Sequence, residues 1–218
     1  MLSRTLLTIC LAIALTACSS APSGNQKAPE QSSGAPAATP AETETGHVAF
    51  QKLYVVSRGW APDTEPVRLE SENYARHDSN DPALLGHGGK SALWRGVYAS
   101  AARSSMKTYI WSGLTGPDAK PGITPGTDDP YSTSNTSTRT CQLVYFKTDS
   151  DAAFATAQKH GGAALLKKDP KMPVNYILDW DPRRSLLEWT VLYGESKNDP
   201  KLDVVVNATT GEFVRVEK

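Results

Sequence analysis

The chain has 218 residues, of which 39% are hydrophobic and 21% are charged, with 23 basic and 23 acidic side chains. This length is enough for one ordinary domain or two small ones. The balanced charge argues against a nucleic-acid partner, because nucleic-acid binding requires a basic surface.

Residues 1–17 are typical of an export signal. A basic start precedes an apolar run over residues 6–15, which is too short to span a bilayer as a helix. Residues 15–18 (LTAC) resemble a bacterial lipobox, and the resemblance implies cleavage before Cys18 and acylation of its sulfur and new amine. The alternative is a plain signal peptide that contains a cysteine. Several acyl chains would hold the protein on a membrane, and the serine after Cys18 implies the outer membrane, with the protein facing the periplasm or the cell exterior.

Residues 18–46 are predicted to be the lipidated cysteine and a disordered tether. They are rich in Ser, Ala, Pro, Gly, Thr and Glu and contain no aromatic residue, so they cannot bury enough apolar surface to offset the cost of ordering. Loss of the signal removes Cys10 and lipidation uses Cys18. Cys141 is then left without a disulfide partner.

Residues 47–116 are predicted to form a first folded unit. Apolar residues at helical spacing predict a helix over residues 47–60, with Ala49, Leu53, Val56 and Trp60 on its inner face. A strand around residues 67–69, a polar glycine-rich insertion at 76–90 and a hairpin over residues 91–116 follow. Residues 117–148 are predicted to be a linker, made of a loop and then a strand over residues 141–146.

Residues 149–218 are predicted to form a second unit. Asp149 caps a helix that Gly161 and Gly162 end, and a strand follows over residues 174–180. A period-two alternation then predicts a C-terminal hairpin with one apolar face, on Leu187, Trp189, Val191, Tyr193, Leu202, Val204 and Val206. A glycine turn at Gly211 leads into a last short strand.

The two hairpins share their spacing. A tyrosine follows the tryptophan by four positions in both (98 − 94 and 193 − 189), and a turn glycine follows it by 22 (116 − 94 and 211 − 189). Tyr109 and Trp111 occupy the places of Val204 and Val206. These coincident offsets indicate an internal duplication. We therefore predict an α+β protein of two repeated units, each an N-terminal helix packed on a small antiparallel β-sheet, after the tether.

The second unit also resembles a PepSY-type module. The resemblance lies in Trp189, Val191 and Tyr193 on one strand and in Val204, Val206, Asn207, Ala208, Thr210, Gly211, Glu212 and Phe213 on the next strand and turn. Asn207 stands where the family usually has aspartate. The resemblance implies a non-catalytic envelope module that inhibits or contacts other proteins, often peptidases.

Candidate chemical motifs are weak. The segment Gly86 to Ser91 ends in Gly-Lys-Ser but lacks the earlier glycine of a nucleotide-binding loop, and a strand follows it where that loop needs a helix. The oxygens of residues 77–81 fall short of a calcium loop because Pro82 interrupts the run. Cys141 with a histidine would make a thiol nucleophile pair, but its apolar neighbours favour a small buried side chain. We predict no enzyme activity, cofactor or metal site.

The expected function is therefore an envelope-anchored lipoprotein with a non-catalytic protein-binding or inhibitory role. The membrane is its partner through the lipid on Cys18, and an envelope protein is its expected second partner. The alternative is a small-ligand or glycan-binding envelope lipoprotein. Among the aromatic residues, Tyr109 and Trp111 are the predicted members of any exposed binding patch, since aromatic rings stack on sugars or grip extended peptides.

Overall fold

A computed structural model of the chain describes residues 41–73, 79–115 and 119–217. It is a mixed α+β fold built on one large antiparallel sheet. The strands are β1 (Glu44–Thr45), β2 (Glu65–Ser71), β3 (Lys90–Ser91), β4 (Leu93–Ser100), β5 (Ser105–Ser112), β6 (Gly122–Pro130), β7 (Val174–Asp181), β8 (Leu186–Tyr193), β9 (Leu202–Asn207) and β10 (Phe213–Val216). The helices are α1 (Gly46–Trp60), α2 (Ser150–Ala157) and α3 (Ala163–Lys168).

Eight of the strands form one sheet in the order β10-β9-β8-β7-β2-β4-β5-β6, and β1 pairs with β3 beside it. The first strand after α1 and the first strand after α3 meet at its centre, where β2 and β7 pair antiparallel. Helix α1 packs on β2, β4 and β5, while α2 packs on β8 and β9. Both helices therefore lie over the sheet on either side of the central strand pair.

The predicted first helix is confirmed, with one correction to its inner face. Ala49 and Leu53 are fully buried, but Val56 is 40% exposed. The face against the sheet runs instead through Gly46, Phe50 and Ser57, because the buried stripe follows i, i+3, i+4 and i+7 from Gly46.

The second helical segment is longer than predicted. Asp149 is the N-cap, and its carboxylate accepts the Ser150 N–H. The two glycines do not end the helix: a five-residue π turn (Gln158–Gly162) absorbs them, and α3 continues to Lys168. Gly161 takes φ +113 inside this turn, a conformation that glycine adopts without steric cost. Gly162 packs against the ring of Tyr193.

Both predicted hairpins are confirmed, and they share a register. Trp94 pairs with Trp111 across β4 and β5, and Trp189 pairs with Val206 across β8 and β9, each pair 17 positions apart (111 − 94 and 206 − 189). Both tryptophans are fully buried, and their rings meet edge to face at 6.4 Å. Gly211 has the expected positive φ, +77.

The prediction of a strand over residues 141–146 is wrong. Residues 141–146 form a loop with a short 3-10 turn (Leu143–Tyr145), and only Cys141 and Phe146 of this segment are buried. The strand of this region is β6. The sequence does not predict it, because two prolines and two aspartates interrupt any alternation of apolar and polar residues. Proline is tolerated there because β6 is an edge strand.

The last residues of the predicted tether already belong to the fold. The Glu42 N–H donates to the Gly113 carbonyl at 2.8 Å, and β1 pairs Glu44 with Ser91. Cys18 and the rest of the signal and tether up to residue 40, the oxygen-rich residues 77 and 78, and the turn glycine at 116 lie outside the described residues. Within the described ranges, no helix is long and apolar enough to cross a membrane.

Candidate functional site

The predicted aromatic pair is not an exposed patch. Tyr109 is 2% exposed and Trp111 is 3% exposed. Both point to the helix side of β5, where Tyr109 packs against Tyr98 at 6.0 Å and the Lys52 ammonium lies 5.1 Å from the Trp111 ring. The expectation of exposure is wrong because α1 packs over β4 and β5 and covers these side chains.

The glycine-rich segment before β3 has a structural role. The Tyr176 hydroxyl donates to the Gly86 carbonyl at 2.5 Å, and the Gly89 N–H donates to the same hydroxyl at 3.2 Å. A Cβ at Gly89 would collide with the backbone of Asp151 at the start of α2. The glycines therefore allow the chain to pass between β7 and the α2 N-terminus.

Both helix N-termini converge on this same place. The Gly46 N–H donates to Ser150 Oγ at 2.7 Å, and the His47 N–H donates to Asp149 Oδ1 at 2.8 Å. Ser150 Oγ in turn donates to the Gly89 carbonyl at 2.6 Å. The cap of α2 thus also satisfies the first two N–H groups of α1, which have no partner within their own helix.

Cys141 is buried and protonated. It is 8% exposed, and burial raises the pKa of its thiol to about 12. Its backbone N–H donates to the Pro66 carbonyl at 2.8 Å, which fixes the loop to β2. A nucleophilic cysteine needs the opposite effect, a lowered pKa that makes the thiolate the populated form.

The sheet face opposite the helices carries ion pairs. At its centre Glu70 accepts from Arg68 Nε at 3.0 Å and from Arg95 Nη1 at 2.8 Å, with Lys197 Nζ at 3.8 Å. Burial raises the pKa of Glu70, but the charges of Arg68, Lys197 and Arg95 outweigh it and hold the pKa below its ordinary value. This carboxylate is therefore ionised and already neutralised by the chain itself.

A second acidic set lies on the same face near β10. Arg215 Nη1 donates to both carboxylate oxygens of Glu188 at 2.9 Å. Asp203, beside it on β9, has a buried Oδ1 with no hydrogen-bond partner. Burial, with repulsion from Glu217, raises the pKa of Asp203 to about 6. Asp203 therefore carries a proton in the native state at a higher pH than an ordinary aspartate.

The helix side carries an exposed apolar groove between α1 and the 143–145 turn. Its volume is about 440 Å³, and it is lined by His47, Phe50, Gln51, Tyr54, Val55, Leu143 and Phe146. Val55 is 72% exposed and Leu143 is 41% exposed. Three further large hydrophobic residues nearby in the sequence are exposed as well, Val48, Val56 and Val144.

Three valines of α1 indicated this groove in the sequence, although the helical pattern alone did not identify it. Val48, Val55 and Val56 are apolar but out of phase with the buried stripe of α1. An apolar run that fits no buried face indicates an exposed contact surface.

A second cavity, which we call the linker pocket, lies where the segment 131–145 crosses the ends of β2 and β7. Its volume is about 530 Å³. It is lined by Glu65, Tyr131, Thr133, Thr138, Arg139, Thr140, Cys141, Gln142, Tyr145, Trp180, Pro182 and Ser185. The rings of Tyr145 and Trp180 lie 5.5 Å apart, and Tyr145 is 40% exposed. This cavity combines aromatic faces with hydroxyl, amide and charged groups.

The described ranges hold no group of three or more His, Cys, Asp or Glu side chains placed to bind a metal ion. Among the described residues, the apolar groove, the linker pocket and the charged sheet face present surfaces for contact. Comparison with protein-family models, with curated proteins and with solved structures gives no match for this chain.

Proposed function

We propose that this chain is a non-catalytic protein-binding module of the cell envelope, held on the outer membrane by lipid on Cys18. The observation that carries the protein-binding role is the exposed apolar groove between α1 and the 143–145 turn. Soluble domains seldom leave contiguous large aliphatic side chains in water unless another molecule covers them.

The groove fits an apolar face of a partner helix. Its two walls are a 15-residue helix and the three-residue turn Leu143–Tyr145, and an apolar groove is the kind of surface on which an amphipathic helix lays one face. Its polar lining residues are His47, Gln51 and the Tyr54 hydroxyl, and no Asp, Glu, Lys or Arg is among the lining residues. An uncharged apolar stripe therefore matches it better than an acidic or basic peptide does.

Site-specific photocrosslinking in intact cells tests the proposal. A photoreactive residue at Val55 is expected to give a discrete adduct of higher mass, identified by mass spectrometry. The same residue at Ala155, an exposed position on α2, is the matched control and should give none. A Val55 adduct that contains only a second copy of this chain, or no adduct at all, contradicts the proposal.

A charged side chain introduced into the groove should abolish partner binding. Val55→Asp and Leu143→Asp place carboxylates on two exposed positions, so both variants should fold, as the circular dichroism spectrum and Tm will show. Each is expected to remove the crosslink from a probe at Gln51. Retention of this adduct in the doubly charged variant would show that the groove is not the contact surface.

We also infer that the fold arose by duplication of a PepSY-like unit, a helix followed by antiparallel strands. Three equivalences support this inference. The hairpins share one register, the sheet is arranged about the β2–β7 pair, and each indole N–H donates to the carbonyl two residues before a helix. Trp94 donates to Glu44 at 3.0 Å, and Trp189 donates to Thr148 at 2.8 Å.

The inference is tested with a matched pair of variants. Trp94→Phe and Trp189→Phe each remove one equivalent hydrogen bond and a similar volume. If the positions are equivalent, the two losses of unfolding free energy in urea should agree within about 1 kcal/mol. Losses that differ severalfold would contradict the equivalence.

A further inference from the structure

We infer that the linker pocket is a binding site for a short saccharide that carries a carboxylate. This site is separate from the apolar groove, and none of its lining residues lines that groove. It therefore stands or falls independently of the protein-binding proposal.

The aromatic wall provides the stacking surface. Tyr145 and Trp180 lie with their ring centroids 5.5 Å apart and their planes inclined by 46°, so together they form a bent platform, with Tyr131 a third aromatic lining residue. Sugar rings present flat faces of C–H groups, which pack on aromatic faces, and their hydroxyls remain free for polar contacts. An aliphatic ligand would leave the polar lining of this pocket unpaired.

The polar lining supplies donors and acceptors at short range. Thr133, Thr138 and Ser185 carry hydroxyls and Gln142 carries an amide, all of which line the cavity. Hydroxyls and amides both donate and accept, which matches the hydroxyls of a sugar. A volume of about 530 Å³ lies within the range of about 300–1,000 Å³ that is common for small-molecule sites.

The pocket lining contains one guanidinium, that of Arg139, and one carboxylate, that of Glu65. Glu65 Oε2 already accepts the Thr140 hydroxyl at 2.6 Å. Arg139 is exposed, and no ion pair involves it within the described part of the chain. A guanidinium pairs a carboxylate with two parallel hydrogen bonds, so a carboxylate on the ligand has a partner here.

The β7–β8 turn holds its wall of the pocket in place. Asp181 Oδ1 accepts the Arg183 N–H at 2.8 Å, and Asp181 Oδ2 accepts Arg184 Nη1 at 2.7 Å. Ser185 closes the turn at φ +52. A wall ordered before binding reduces the entropy that a ligand must remove.

Isothermal titration with two matched disaccharides tests the inference on the folded protein. The acidic probe is N-acetylglucosaminyl-N-acetylmuramic acid, which has one carboxylate, and the neutral probe is N,N′-diacetylchitobiose. We expect the acidic probe to bind at least tenfold more tightly than the neutral one. Failure of both probes to bind, or equal affinity for both, would overturn the inference.

Three variants identify the site. Arg139→Gln should weaken the acidic probe at least tenfold and leave the neutral probe unchanged, and Tyr145→Ala should weaken both. Arg103→Gln, which removes an arginine on the β4–β5 turn, is the charge control and should change neither. Both pocket residues are exposed, so loss of the fold will not obscure the result. Equal effects of Arg139→Gln and Arg103→Gln would refute the assignment.

The apolar groove provides the cross-control. Val55→Asp should leave saccharide affinity unchanged, and Arg139→Gln should leave the Val55 crosslink unchanged. Loss of saccharide binding in Val55→Asp would show that the cavity is not an independent site.

Discussion

Ser150 joins the two helices through a single hydroxyl, and its removal has a cost that the structure predicts. Ser150 Oγ accepts the Gly46 N–H at 2.7 Å and donates to the Gly89 carbonyl at 2.6 Å, and Ser150 is fully buried. Ser150→Ala leaves two buried backbone groups without partners. Each unpaired group costs about 1–3 kcal/mol, so we expect the unfolding free energy to fall by about 3 kcal/mol.

Ser57→Ala is the matched control. Ser57 is equally buried, but its hydroxyl only donates to the Tyr54 carbonyl within α1, and that carbonyl has the helical N–H as well. Alanine also favours a helix slightly. We expect a loss below about 1 kcal/mol.

Urea unfolding followed by tryptophan fluorescence measures both variants. Equal losses for Ser150→Ala and Ser57→Ala would refute the reasoning, because burial of a serine would then matter and its partners would not. A loss near 3 kcal/mol only for Ser150 supports the shared cap of the two helices.

Three further predictions follow from other positions. The pKa of Asp203 is raised to about 6, so its ionised form destabilises the native state above that pH and not below about pH 4, where the carboxyl is protonated in both states. Asp203→Asn should therefore raise the unfolding free energy by about 1–2 kcal/mol in urea at pH 8 and leave it unchanged at pH 4. An equal gain at both pH values would contradict the raised pKa. A Cβ on Gly46 would lie 2.6 Å from Trp189 Cη2, so Gly46→Ala should cost about 1–3 kcal/mol in the same assay, and a variant as stable as the parent would show that the indoles shift freely. Cys18→Ala should abolish metabolic labelling of the protein with palmitate, and a retained label would place the lipid elsewhere.

Local patterns predicted most of the regular structure. The alternation through Trp189 and Val191 and the apolar spacing of Ala49 and Leu53 each specify a buried face within one element. The Asp149 cap is a local signal as well. These elements were predicted correctly because the interactions that define them lie within a few residues.

What depends on distant contacts was not predicted. β6 owes its place to pairing with β5, and its prolines, aspartates and glycines disfavour a strand. The apolar pattern of residues 141–146 predicts a strand. The Lys147 and Thr148 N–H groups instead donate to the Ala208 carbonyl, and these long-range contacts hold the segment as a loop. The burial of Tyr109 follows from the position of α1, which a strand pattern does not contain.

The candidate sites also depend on contacts between residues that are distant in the sequence. The apolar groove needs α1 and the 143–145 turn side by side, and the linker pocket needs Trp180 next to Tyr145, 35 positions away in the chain (180 − 145). The exposed valines of α1 were the one local signal. The sequence predicted Tyr109 and Trp111 as members of an exposed patch, but both side chains are buried.

The two ends of the eight-stranded sheet bear on how the protein behaves at high concentration. β6 carries Pro125 and Pro130 together with Asp128 and Asp129, and a proline offers no N–H to an incoming strand while the acids repel their copies. β10 is only four residues long, and its register shifts between Phe213 and Arg215. Neither rim offers a template for another molecule, so this β-rich chain should resist fibril growth even when many copies are crowded together.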